Sequence, residues 1–295
     1  MDLHTRQAAQ AALSEGRRAI VVEVAEALGS APREPGARMV VLRETTVGTI
    51  GGGHLELKAI ATARAMLDDG DGDGGVARSE RFPLGPALGQ CCGGAVTLSY
   101  ELLTTDALAR WRLPAPLFQL QLYGAGHVGR AIATLLATLD AQVDWIDERE
   151  DAFPTATTLG TPWPPHIRRV CVDAVEGEVR LAAAGAFYLV LTHDHDLDLR
   201  ITEAILRRGN FGFLGLIGSK TKRARFVRRF EQRGVATGTI ARMTCPIGVE
   251  GIGGKQPEVL ALAAVAQLLQ AAARPDEADQ EASRSSIGKS STRTV

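Results

Sequence analysis

Cysteine is scarce in this 295-residue sequence: Cys91, Cys92, Cys171 and Cys245 form neither a C-x-x-C pair nor a spaced set. Neither a structural zinc site nor a disulfide framework is expected from them. Long apolar runs are missing too. No window approaches the roughly 20 residues of a membrane span, and the first 18 residues carry early charges and no apolar block of signal length. Charge of one sign is also absent, with 33 Lys and Arg against 34 Asp and Glu for a net −1. Nothing global therefore draws the chain to nucleic acid or to an anionic membrane, and a cytoplasmic protein is expected. What remains is 45% hydrophobic and 23% charged, the composition of a soluble globular protein long enough for two domains with separate cores.

The most informative stretch is residues 117–130. An apolar run of β-formers ends in Gly124-Ala125-Gly126-His127-Val128-Gly129, and an Ala- and Leu-rich helical pattern follows over residues 131–139. In such a strand, turn and helix start, Gly124 permits the turn, Gly126 lets a ligand approach the backbone, and Gly129 lets helix and strand pack. Free N–H groups at the helix start favour an anion such as a pyrophosphate. A second strand, residues 142–146, ends at Asp147, near the spacing of about 20 residues at which a Rossmann acid meets a ribose hydroxyl. NAD(P) is therefore one candidate ligand, although the fold alone does not fix it.

Before this turn the sequence reads as a separate domain, residues 1–110, with a boundary placed between Thr104 and Pro116. A helix over residues 3–15 closes at Gly16, and a buried strand covers residues 19–25. The loop Gly29-Ser30-Ala31-Pro32-Arg33-Glu34-Pro35-Gly36 is stiff, and Arg33 and Arg38 on its two sides are either anion clamps or solvated. A hairpin over residues 37–50 leads to Gly51-Gly52-Gly53, which head a helix and either gather backbone amides round an anion or turn a sharp corner. His54 and Glu56 border this turn. Residues 68–75 are acidic and Gly-rich but lack the closing Glu of a calcium loop, so they read as a surface loop. In Gln90-Cys91-Cys92-Gly93-Gly94 two adjacent thiols stand among glycines. They are a soft metal ligand or nucleophile, or else small apolar core residues.

After Asp147, strands are expected at residues 168–172, 186–191 and 211–217. The second ends in Thr192-His193-Asp194-His195-Asp196-Leu197-Asp198, where the crevice of an open α/β sheet lies. His193 and Asp194 can bind a metal, relay protons or cap the next helix, with Asp198 as the conservative helix cap. Gly218-Ser219 open a basic helix with Ser219 as its N-cap and Lys220 placed to meet an anion. The outer arginines read as solvated or as a docking face for an acidic partner. The second domain runs over residues 116–274, and residues 275–295 form a polar, Ser-rich tail expected to be disordered. The fold class is α/β: an N-terminal mixed α/β domain followed by a Rossmann-like doubly wound domain.

Taken in order, Gly29-Ser30-Ala31-Pro32-Arg33, Gly48-Thr49-Ile50-Gly51-Gly52-Gly53, Gln90-Cys91-Cys92-Gly93-Gly94, Gly124-Ala125-Gly126-His127-Val128-Gly129, Thr192-His193-Asp194, Gly215-Leu216-Ile217-Gly218-Ser219-Lys220 and Pro246-Ile247-Gly248 resemble the xanthine dehydrogenase accessory proteins of the XdhC/CoxI type. The resemblance covers about residues 18–273. It implies a non-enzymatic chaperone that binds the molybdenum cofactor (molybdopterin), protects it while a cysteine desulfurase supplies a sulfur, and delivers it to the molybdenum-binding subunit of xanthine dehydrogenase. Cys92 matches the family's motif cysteine and is the candidate ligand to molybdenum, with Cys91 as its neighbour. The candidate binding set is Arg33, Gly51, Gly52, Gly53, Cys91, Cys92, Gly124, Gly126, His127, Gly129, Asp147, His193, Asp194, Ser219 and Lys220, expected from where the loops fall to face one another across an interdomain cleft, and a homodimer is expected. Two other readings compete: an NAD(P)-dependent oxidoreductase, and a redox sensor in which Cys91 and Cys92 form a vicinal disulfide.

Overall fold

A computed structural model describes residues 2–68, 78–84, 94–112 and 115–273. The acidic glycine loop from Asp69 on, Cys91, Cys92 and the tail lie outside the described residues. The chain divides into two compact units, Met1–Ala115 and Pro116–Val295. Among the described residues no helix is long and apolar enough to cross a membrane.

The first unit is an antiparallel sheet of β1 (Ile20–Leu28), β2 (Arg38–Val41), β3 (Thr46–Gly48), β4 (Arg78–Pro83) and β5 (Ala95–Leu102), in the order β3-β2-β1-β5-β4. Among the described residues three helices accompany it: α1 (Asp2–Ser14), α2 (Gly53–Asp68) and α3 (Thr105–Arg110). The start of β1 is apolar at consecutive positions because both faces of the sheet are covered. Ile20, Val22 and Val24 pack with Leu55, Ala59 and Ala63 of α2, while Val21 packs with Ala9 and Ala12 of α1 and with Leu108 and Trp111. Four-residue spacing puts Leu55, Ala59, Ala63 and Leu67 on one stripe of α2, and all four are buried. The strand expected to stop at Ala25 runs on to Leu28. An irregularity between Val24 and Glu26 shifts its register, after which it pairs with β5 as far as Leu28 opposite Ala95.

Among the described residues the second unit holds a six-stranded, wholly parallel sheet. Its strands are β6 (Gln119–Tyr123), β7 (Gln142–Asp147), β8 (Ile167–Cys171), β9 (Phe187–Val190), β10 (Phe213–Leu216) and β11 (Met243–Thr244), in the order β11-β10-β9-β6-β7-β8. The chain winds outward from β6 to β8, returns to β9, and winds outward the other way. The reversal lies between β6 and β9, so the C-terminal ends of these strands border the crevice of a doubly wound sheet. Helices α4 (His127–Leu136) and α8 (Pro257–Ala272) supply one hydrophobic layer, in which Ile132, Leu136, Ala261 and Leu268 meet Leu120, Leu122, Val143 and Leu189. On the other face α5 (His195–Arg208) and α6 (Lys220–Gln232) bring Leu197, Ile201, Ile205, Phe226 and Phe230 against Tyr123, Ile146, Tyr188, Val190 and Leu216. The short helix α7 (Thr237–Ala241) and the two-residue β11 complete that edge. Burial on both faces is why β9 reads as an unbroken apolar run.

Candidate functional site

In the first unit, loops that are far apart in sequence adjoin. A Cβ on Gly51, whose φ is +123°, would stand 2.5 Å from Cβ of Pro32, so only glycine lets the 49–53 loop lie against the proline loop. Arg33 bonds its neighbour Glu34 at 2.8 Å and reaches the Thr49 carbonyl at 3.4 Å. Its guanidinium holds the Glu34 carboxyl down at about 2. A Cβ on Gly94 would meet the carbonyl oxygens of Leu28 and Ser30 at 2.3 and 2.5 Å, so the exit of the Cys-Cys-Gly-Gly segment also lies on the proline loop. Arg38 is engaged within its own unit: Glu23 takes its Nε at 2.8 Å, and its guanidinium lies 4.9 Å from the Trp111 ring.

The triple glycine does gather amides, but they converge on the chain's own carboxylate. Glu56 Oε2 accepts from the Thr49 hydroxyl at 2.5 Å, the Ile50 amide at 3.1 Å and the Gly52 amide at 3.0 Å. Glu56 stands three residues into α2, where a first-turn carboxylate can reach back to orphan amides. Gly52 has no heavy atom within 4 Å of an added Cβ, and Gly53 begins the helix at the surface.

In the second unit the three turn glycines divide their work. A Cβ on Gly124 would lie 2.4 Å from the Leu191 carbonyl oxygen, and one on Gly129 would lie 2.0 Å from that of Gly124. Both are packing glycines. We expect Gly129→Ala to cost about 1–3 kcal/mol by overpacking the joint between helix and strand, seen as a lower urea midpoint in the fluorescence of Trp145 and Trp163. Gly126 differs from both. It is the exposed N-cap of α4 with open space around an added Cβ and no side-chain cap, and exposed His127 follows it. The first amides of α4 therefore meet no capping side chain, the arrangement that accepts an anion.

Three side chains fix this turn. The indole N–H of fully buried Trp145 donates to the Gly124 carbonyl at 3.0 Å. Arg130 donates through Nε to the Ala125 carbonyl at 3.0 Å and through Nη2 to Ala152 at 2.7 Å. Asp147, 5% exposed, accepts the Ala125 amide on Oδ2 at 2.7 Å and the Arg149 amide on Oδ1 at 3.0 Å. The Arg149 guanidinium adds contacts of 2.9 and 3.0 Å. The acid expected to face a ribose is thus bonded to the turn and to its neighbour.

Burial would raise the Asp147 carboxyl, but the Arg149 side chain and the two amides outweigh burial and leave it below the ordinary carboxylate value. A depressed folded value means that its stabilisation is complete above the unfolded value of about 3.9 and is lost as pH falls toward the folded one. Asp147→Asn is expected to lower stability at pH 7 by about 1–3 kcal/mol. It should also flatten the loss of stability below about pH 4, measured by urea titrations at neutral and acid pH.

At the end of β9, His193 is exposed and its Nε2 lies 3.8 Å from Glu148 Oε1, so the loops flanking β6 approach each other here. Asp194, rather than Asp198, caps α5, accepting the Asp196 and Leu197 amides at 2.6 and 2.8 Å. These amides hold its carboxyl below the ordinary value. Asp198 is 1% exposed and takes three bonds: from the Thr192 amide at 3.0 Å, the Thr192 hydroxyl at 2.7 Å and Lys222 Nζ at 2.5 Å. Ser219 caps α6 as expected, accepting the Lys222 amide at 3.2 Å. Lys220 begins that helix at the surface, whereas the buried cation is Lys222. Lys222, Phe226 and Phe230 recur every four residues on the stripe that α6 buries. A lysine in phase with two buried phenylalanines is the signal that marks it. Among the described residues no group of three or more His, Cys, Asp and Glu is placed to hold a metal.

Residues 120–268 match the family model described as the XdhC Rossmann domain, and residues 12–76 that described as the XdhC and CoxI family. The chain belongs to the XdhC family. Within the XdhC Rossmann domain fall the glycine turn, Asp147, the His193 loop and the Asp198–Lys222 pair; the Arg33 and triple-glycine loops lie in the XdhC and CoxI match. The chain is 29% identical over 261 residues to the uncharacterized protein YqeB of Escherichia coli, across 85% of this chain and 43% of that relative. It thus spans less than half the length of that protein. Its fold is similar to a crystal structure of a xanthine dehydrogenase from Bacillus halodurans, with a TM-score of 0.69 over 91% of this chain and 95% of that one, at 18% identity.

Proposed function

We propose that this chain is a maturation factor for a xanthine dehydrogenase, which holds the molybdenum cofactor by its phosphate while a cysteine desulfurase supplies sulfur and then passes it to the enzyme's molybdenum-binding subunit. Membership in the XdhC family supports the maturation role. The observation that carries the ligand class is the pairing of an open Gly126 with an engaged Asp147. A terminal phosphate needs amides and space, which Gly126 and the α4 start offer. A nicotinamide dinucleotide also needs a carboxylate free to take ribose hydroxyls, and both oxygens of Asp147 are already bonded. That disfavours the NAD(P)-dependent oxidoreductase reading.

In this role the α4 amides would bind the phosphate, and His127 and His193 would border the anion. Molybdenum is cargo; Cys92, the candidate thiol for it, lies outside the described residues. The test is co-expression with a target molybdenum hydroxylase, followed by pterin analysis of the purified chain. Molybdopterin should co-purify, and deleting the chain should lower recipient activity. A pterin-free chain that binds NADH saturably, and loses that binding in Asp147→Ala, overturns the proposal in favour of the oxidoreductase.

A further inference from the structure

A cavity of about 370 Å³ opens beyond the C-terminal ends of β9 and β10, one strand further along the sheet edge than the β6 glycine turn. Its lining includes Thr192, Asp198, Ser219, Thr221, Lys222 and Arg225. The floor is the Asp198–Lys222 pair, with side chains 1% and 9% exposed. Such a pair is a costly way to fill a protein interior, because both ions lose their hydration and apolar residues of similar volume are often as stable. Its bonding is also unequal. Asp198 is engaged on both oxygens. Lys222 carries three donors, and two have oxygen acceptors among the described residues, Asp198 at 2.5 Å and the Ile217 carbonyl at 2.9 Å, while the Phe226 ring lies 5.4 Å from Nζ. One N–H of a side chain more than nine-tenths buried therefore has no oxygen acceptor among the described residues, in a cavity wall.

The wall above the pair supplies further donors. Ser219 and Thr221 bring hydroxyls, and exposed Arg225 has no ion-pair partner among the described residues. Gly218 makes the arrangement possible, since a Cβ there, at φ +158°, would stand 2.5 Å from Lys222 Cδ. Asp198 offsets one cation, which leaves Arg225 in excess, so the lining favours an anion. The volume is roughly twelve times the space a water molecule takes in the liquid (~30 Å³). That is more than an oxyanion alone needs.

We propose that this cavity binds the phosphate of a small organic phosphomonoester, with the free N–H of Lys222 and the Arg225 guanidinium as its charged contacts and the organic part in the remaining volume. No residue of the glycine turn or of α4 lines this cavity, and the reading does not depend on what that helix start holds. Both contacts are charge-assisted hydrogen bonds, short and strong in a partly desolvated wall.

Inorganic phosphate is the probe, titrated into the full chain at constant ionic strength against chloride, with thermal unfolding as the readout. The wild-type chain should show a saturable rise in Tm. Arg225→Gln, an exposed substitution that leaves the buried pair intact, should weaken the apparent phosphate affinity about tenfold, the fold-change expected when a charged hydrogen bond is lost. The neutral double variant Asp198→Asn/Lys222→Met should abolish saturation. Three results overturn the proposal: no saturable response in the wild type, an Arg225→Gln response equal to wild type, or a response that survives Arg225→Gln and disappears in Gly126→Asp, which would locate the phosphate at the glycine turn.

Discussion

A Gly126→Asp chain is expected to fold as well as the parent and, if the proposed function holds, to co-purify with less pterin. Gly126 has φ −72° and ψ −172°, the extended conformation of an N-cap, and an added Cβ there meets open space. Asp is among the strongest N-caps, better than Gly by a few tenths of a kcal/mol, so α4 should gain slightly. The new carboxylate would accept the second- or third-residue amides of the helix, the groups proposed to hold a phosphate, and would place a negative charge on its path. Two charges about 4 Å apart repel by roughly 1–4 kcal/mol between bulk water and a protein surface. Pterin content of the co-expressed, purified chain should fall at least about tenfold. Gly126→Ala is the control for bulk, since it brings neither cap nor charge. Undiminished pterin in Gly126→Asp, with the variant folded, would falsify the role given to this helix start.

The second large effect is on stability. Lys222→Met removes the only cation bonded to buried Asp198 among the described residues, and breaking a buried pair on one side costs about 3–5 kcal/mol. Asp198→Asn on the same background keeps an acceptor for the Thr192 amide and hydroxyl and removes the stranded charge. The double variant should therefore recover most of the loss, with a coupling of about 2 kcal/mol or more in a double-mutant cycle. Urea titration followed by Trp145 and Trp163 fluorescence reads the second unit. A Lys222→Met cost under about 1 kcal/mol is the value of a solvated surface pair, and it would contradict the burial described here.

Much of the framework could be read directly from residue order, and the reasons differ by element. The β6 glycine turn is legible because each glycine answers a local need: space at Gly126, and close backbone approach at Gly124 and Gly129. Ser219 is legible as a cap because capping is a contact within one turn. What escapes is the choice among several equivalent side chains. Asp194, Asp196 and Asp198 all suit a helix start, and only the depth of β9 against α5 decides that Asp194 caps while Asp198 turns inward. Lys220 and Lys222 likewise differ in helical phase, which shows only when Phe226 and Phe230 are taken as the buried stripe. Asp147 stands where its spacing puts it, but its partners come from the turn across β6 and from Arg149. Glu56 reads as a bordering acid and proves to be the acceptor for the loop it follows.

The anchoring of the β6 turn has a kinetic consequence. Trp145, Arg130 and Asp147 hold the backbone of Gly124 and Ala125 through the chain's own side chains. A loop already in its receptive shape has little ordering entropy left to lose on association. Capture at this turn should then run at the rate of encounter and grow faster at low ionic strength for an anionic guest, while the length of its stay is set by how readily the phosphate lets go.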